Sequence, residues 1–263
     1  MSGLVLLRGR ERGLESGDMT LEQLQEDCEL GQQALVATDY LRAEQILARA
    51  EQRAWERRDF DSLSRLYLPL QEARRQFRQR CGEGEVCLDL IAQGETDLLE
   101  ARHVVENYSF GQLLVAGWAS TEPAREVRRL AREHELYVET FLGAVYPAGA
   151  GHVVVVVPRE TDKLPSPSPG RSIQELQPLL PEHCLIFRAE ELPAGSRRGD
   201  AQTFSQVMRM WERLHAPFLA EADQERDPIR AIEACRRAIE VDRACELAHQ
   251  RAAEAARKLA REG

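Results

Sequence analysis

The chain has 263 residues, 35 of them Lys or Arg and 44 Asp or Glu, giving a formal charge of −9. That length suits one large domain or two small ones, and 43% hydrophobic with 30% charged residues supplies a core and excludes a disordered chain. The acidic balance excludes a nonspecific nucleic-acid binder, and no apolar run reaches the ~18–20 residues of a membrane span.

Basic charge comes almost wholly from Arg, with Lys163 and Lys258 the only lysines, which reads as a genome-composition bias. Six cysteines (Cys28, Cys81, Cys87, Cys184, Cys235, Cys245) are spread without CxxC or zinc spacing, so six free thiols, no metal and no cofactor are expected. The N-terminal apolar stretch Leu4–Leu7 is too short for a signal-peptide core and its arginines follow it, so the expected compartment is the cytoplasm.

Residues 1–18 read as a loose leader, and 19–81 as helical. Thr20 and Gln23 form a capping box for a helix with Leu21, Leu24, Cys28 and Leu35 on one stripe. A second helix starts near Asp39 and a third at Asp59, where Pro69 should kink or split the chain. Arg74, Arg75, Arg78 and Arg80 read as the solvated side of that third helix. In the first pair, Leu30-Gly31 is followed by Tyr40, Ala43, Leu47 and Ala50 at fixed intervals. Over about 24–57 this resembles a tetratricopeptide repeat, which implies that Gly31 lets two helices approach, Tyr40 fills the turn, and Ala43 and Ala50 keep the separation short. Asp27 stands in the repeat's Trp slot and Trp55 in its terminal Pro slot.

The periodicity changes from about 86 to 200. Cys87–Ile91, Gln112–Trp118, Tyr137–Tyr146, His152–Val157 and Cys184–Phe187 read as strands, the fourth because five consecutive valines fit little else. Helices are expected over Glu95–Asn107, after Ser120-Thr121, and from a Ser172–Glu175 capping box to Pro181; 164–170 is a Pro-rich loop. The alternation predicts a small, mostly parallel, Rossmann-like α/β region with one antiparallel hairpin at its edge.

Residues 201–263 return to helical spacing. Asp227-Pro228, Ala231, Cys235 and Ala238, ending Ala-Ile-Glu-Val-Asp242, again resemble the second helix of a tetratricopeptide repeat, over about 212–245. Here Phe218-Leu219 replaces Leu-Gly and Arg243 the terminal Pro. Repeats of this kind need neighbours to bury their faces, so the two ends are expected to pack on each other, making a mixed α+β fold.

The repeat resemblance implies an interaction or adaptor protein that binds a protein partner or itself, with no nucleic acid and no membrane. The alternative is a small-molecule- or phosphate-binding α/β protein or enzyme with its site at the C-terminal ends of the strands. Ser120 and Thr121 would supply donors there, or serve only as a helix cap. Glu139 would be an inward acid or base, or an ordinary carboxylate on a partly solvated face with Tyr137 and Phe141. No Gly-rich phosphate loop or hydrolase triad accompanies them.

Overall fold

The computed structural model describes residues 21–149, 151–198 and 201–262; the expected leader and the Thr20 cap lie outside them. Three helices open the described chain: α1 (Leu21–Val36), α2 (Tyr40–Glu56) and α3 (Phe60–Glu83). Both turns between them have one construction. Thr38 and Arg58 take left-handed conformations, at φ 61° and 56°. The next amide in each case, Asp39 or Asp59, bonds back to the carbonyl of Ala34 or Ala54, closing a Schellman motif. Asp39 and Asp59 then cap the following helix through their carboxylates. α3 runs unbroken through Pro69, because the carbonyl that loses its donor belongs to exposed Arg65, where water can replace it.

The middle of the chain gives β1 (Glu85–Ile91), α4 (Ala101–Asn107), β2 (Phe110–Trp118), α5 (Glu122–Glu133), β3 (Tyr137–Ala148), β4 (Gly151–Val157), α6 (Ile173–Leu176), β5 (Leu185–Arg188) and β6 (Arg197–Arg198). The helix expected from Glu95 starts only at Ala101. Before it, Asp97 accepts from the Gln93 amide at 2.7 Å and its own amide bonds to Gly94, which ties 93–97 into a turn. The sheet order is β5-β4-β3-β2-β1-β6, with β1, β2 and β3 parallel and the outer pairs antiparallel. The β3–β4 hairpin is therefore not at the edge, since β5 pairs outside it.

Three helices close the described chain: α7 (Ala201–Gln224), α8 (Pro228–Val241) and α9 (Glu246–Glu262). α9 packs directly on α3, so the two helical ends share one layer. A single apolar core joins Leu47 of α2, Leu70 of α3, Leu214 of α7 and Ala252 of α9 to one sheet face through Leu114, Phe141 and Val154. The other face carries α4 and α5 over Leu113, Leu142 and Val155. The structure is thus a mixed α and β fold, and no described helix is long and apolar enough to cross a membrane.

Candidate functional site

β4 pairs with β3 only from Leu142 to Ala148, so the Tyr137–Phe141 half of β3 has a neighbour on its β2 side alone. A cleft of about 1020 Å³ opens there. Val138, Glu139 and Thr140 all line it, although successive side chains of a strand point to opposite faces. The cleft therefore wraps the open strand edge. Leu70, Phe77 and Trp211 give it apolar walls, and residues of α2, α5 and α8 carry its charges.

Its floor is the margin of a buried polar network. Arg78, only 6% exposed, donates Nε and Nη2 to the two Glu139 oxygens at 2.9 and 2.7 Å. The same Nη2 lies 2.7 Å from Asp242, and the guanidinium sits 4.8 Å above the Trp211 ring. Gln112 donates its amide to Glu139 at 2.7 Å and accepts from Trp211 Nε1 at 3.4 Å. Asp242 in turn meets His215 Nδ1 at 2.7 Å. Burial alone would discharge Arg78, but Asp242 and Glu139 hold it firmly charged. Burial likewise opposes the Asp242 carboxylate, yet Arg78 and His215 keep it well below the usual range. His215, though half-buried, is raised to about 9 by its bond to Asp242.

A second group of charges lies where α2, α3, α5 and the end of α8 meet. Arg74 Nε donates to Glu44 at 3.0 Å, and Arg243 reaches the same carboxylate at 3.9 Å. Arg128 donates Nε to the Thr140 carbonyl at 2.8 Å and Nη1 to Glu160 at 3.2 Å, while Arg132 stands 3.9 Å from Glu160. Burial would raise Glu44, but Arg74, Arg243 and Arg132 hold it below its ordinary value. Burial pushes Arg128 down to about 10, with Glu160 opposing and Arg243 adding to the fall; the group stays cationic at neutral pH. Arg236 pairs with Glu51 on the α2 wall, next to the Tyr67 hydroxyl that donates to the same Glu51.

Ser120, Thr121 and Glu139 do not converge. Gln112 is in register with Glu139 and Trp118 with Val145, so the strand end that carries Ser120 lies six residues further on, about 20 Å along the sheet. Ser120 Oγ accepts from the Glu122 amide at 3.1 Å and caps α5; Thr121 is buried with no side-chain cap bond. The face holding Glu139 is solvated only at the cleft: α3 and α7 close over the rest, and Tyr137 and Glu139 stay half-buried. Among the repeat positions, a Cβ on Gly31 would fall 2.6 Å from Leu47, and Ala43, Leu47, Ala50, Cys235 and Ala238 are buried. Tyr40 and Ala231 are half-buried. Leu30 is 40% exposed, because Gly31 takes the face turned to α2 and its neighbour is rotated ~100° away.

The arginines of α3 divide by helical position. Arg75 and Arg80 face solvent, but Arg74 and Arg78 extend inward from the Leu66 and Leu70 stripe at i, i+4 spacing, which was the available signal. Among the described residues no cluster of His, Cys, Asp or Glu could hold a metal ion, and all six cysteines are free thiols. No family model, curated protein or solved structure matches the chain.

Proposed function

We propose that the chain is a binding protein whose helical layer and α/β region close together on one ligand. The observation that supports this is the cleft itself: it has the size of small-molecule sites, ~300–1,000 Å³, and aromatic walls beneath converging charges. Both parts of the chain supply it, so occupancy would couple them. An adaptor role built on tetratricopeptide-like helices is compatible with this, since α2 of the first repeat-like hairpin forms one wall. The parallel run β1-β2-β3 with α4 and α5 supports a Rossmann-like reading of the middle region. A site at the C-terminal ends of its strands has no comparable geometry behind it.

The test is a thermal-shift screen of charged and neutral metabolites against the full chain and against Gln45→Trp. Gln45 is an exposed α2 residue on the cleft wall, so the larger ring narrows the cleft without removing a charge. A ligand at ~100 times its Kd stabilises by about 2.7 kcal/mol, and that shift should vanish in the variant. A screen without hits, or hits indifferent to Gln45→Trp, would reject the proposal.

A further inference from the structure

The cleft carries a feature that its size does not require. Several surface arginines have a carboxylate of their own close by, as Arg65 has Asp61 and Arg75 has Glu72. Here Arg74, Arg128, Arg132 and Arg243 share only Glu44 and Glu160, and two of the four contacts are no closer than 3.9 Å. Arg243 reaches no other carboxylate among the described residues. Beside them Thr140, 1% exposed and part of the cleft wall, has a hydroxyl oxygen with no hydrogen-bond partner. Its own carbonyl holds Arg128 in place, so the orphan hydroxyl and a guanidinium fork stand at one backbone position.

We propose that these four arginines and the Thr140 hydroxyl form an anion subsite, and that the ligand is a small molecule bearing a multiply charged oxyanion, phosphoryl or clustered carboxylate. The inference rests on the cleft being a binding site. A planar guanidinium presents paired donors that match the oxygens of either group, and several such forks surround one dianion better than one carboxylate each. An uncompensated buried hydroxyl is costly unless a bound acceptor or donor completes it. Burial lowers Arg74, Arg128 and Arg132 together; Glu44 opposes the fall at Arg74 and Glu160 at Arg128, while Arg243 adds to it at all three. The neighbouring carboxylates Glu51 and Glu139 are already engaged by Arg236 and Arg78. Glu233 and Glu240 also line the cleft, on α8, and are not among the charges that act most strongly on Arg74, Arg128 and Arg132.

Pyrophosphate and citrate serve as probes for the two oxyanion types, titrated into the full chain by calorimetry with sodium chloride at matched ionic strength. Saturable binding of one or both is expected, the preferred probe naming the group. Thr140→Val should leave the free protein at least as thermostable, since it deletes an unpaired hydroxyl, and weaken binding tenfold or more. Arg132→Ala and Arg243→Ala, at half-exposed positions that folding tolerates, should weaken it similarly. No binding beyond the chloride control, or Thr140→Val binding like the parent, overturns the subsite. Screen hits that Gln45→Trp abolishes but Thr140→Val and the two arginine variants leave intact would overturn the subsite and keep the cleft.

Discussion

Arg78 of α3 and Asp242, the C-cap of α8, meet at 2.7 Å in the interior. Glu139 of β3 completes the contact, so one guanidinium joins an early helix, a late helix and the sheet. A buried charge left without its partner is far more damaging than a missing pair. Arg78→Met should therefore destabilise by about 3–5 kcal/mol in urea unfolding. Adding Glu139→Gln and Asp242→Asn should recover part of that loss, because the orphaned carboxylates go too. A cost under about 1 kcal/mol for Arg78→Met would show the pairing to be ornamental.

His215 and His249 set opposite pH limits. The folded His215 titrates near 9, above the ordinary 6.5 of the unfolded chain, so its stabilisation is complete below about pH 6.5 and disappears as pH rises through 9. The amount is at most about 3 kcal/mol. His249 is buried and neutral: its Nδ1 hydrogen bonds the Cys245 carbonyl at 2.8 Å, and Nε2 faces Arg74 at 3.3 Å. Burial, then Arg74, lowers it to about 3. As pH falls below about 6.5 the unfolded chain takes up a proton that the fold refuses, so stability declines on that side as well. Urea midpoints measured from about pH 5 to 8 should pass through a maximum near pH 6.5. His215→Gln should flatten the limb between about pH 6.5 and 8, below the range where unfolded cysteines ionise, and leave the acidic one; an unchanged limb there would refute the assignment.

Gly31 tests the close approach of α1 and α2. Alanine is the better helix former by ~1 kcal/mol, yet its Cβ would stand 2.6 Å from Leu47 Cγ and Cδ2, and Leu47 is fully buried. Overpacking should win, with Gly31→Ala lowering stability by about 1–3 kcal/mol. In a Leu47→Ala background the same change should be neutral or stabilising, and thermal unfolding of the four proteins of that cycle measures the coupling.

Much of this framework was legible locally. Asp39, Asp59 and Asp227 announced helix starts, the Ser172–Glu175 box formed as spaced, and Val153–Val157 could only be strand. What escaped was pairing at a distance. Arg78 has the composition of a surface residue, and only the fold brings it to Glu139, 61 positions later. Glu139 looked like either a catalytic acid or a solvated one for the same reason. Thr140 could not be singled out at all, because an unsatisfied hydroxyl is a property of packing and not of residue type. The open edge of β3 depends on where β4 stops, and nothing local to β3 encodes that.

The thiols offer a check on packing. Cys184 is the one half-buried cysteine, and burial pushes its thiol up to about 12. Burial also raises Cys28, Cys81, Cys87 and Cys235. A thiolate is the reactive form, so these five native thiols should react slowly with a disulfide reagent at about pH 8, Cys184 leading. Six groups should appear on unfolding without reductant. A count of four would signal a disulfide that the structure does not contain.

α9 lies against α3, although the entire sheet is encoded between them. At ~5–20 residues per second of synthesis, α3 waits roughly 8–30 s for the helix that covers it. Tyr67, which ends edge-on against His249, has its α2 neighbours but lacks that cover for the interval. The nascent chain is therefore exposed to aggregation midway through translation, and the ribosome-bound intermediate, more than the finished fold, is where shielding by a chaperone would decide the yield.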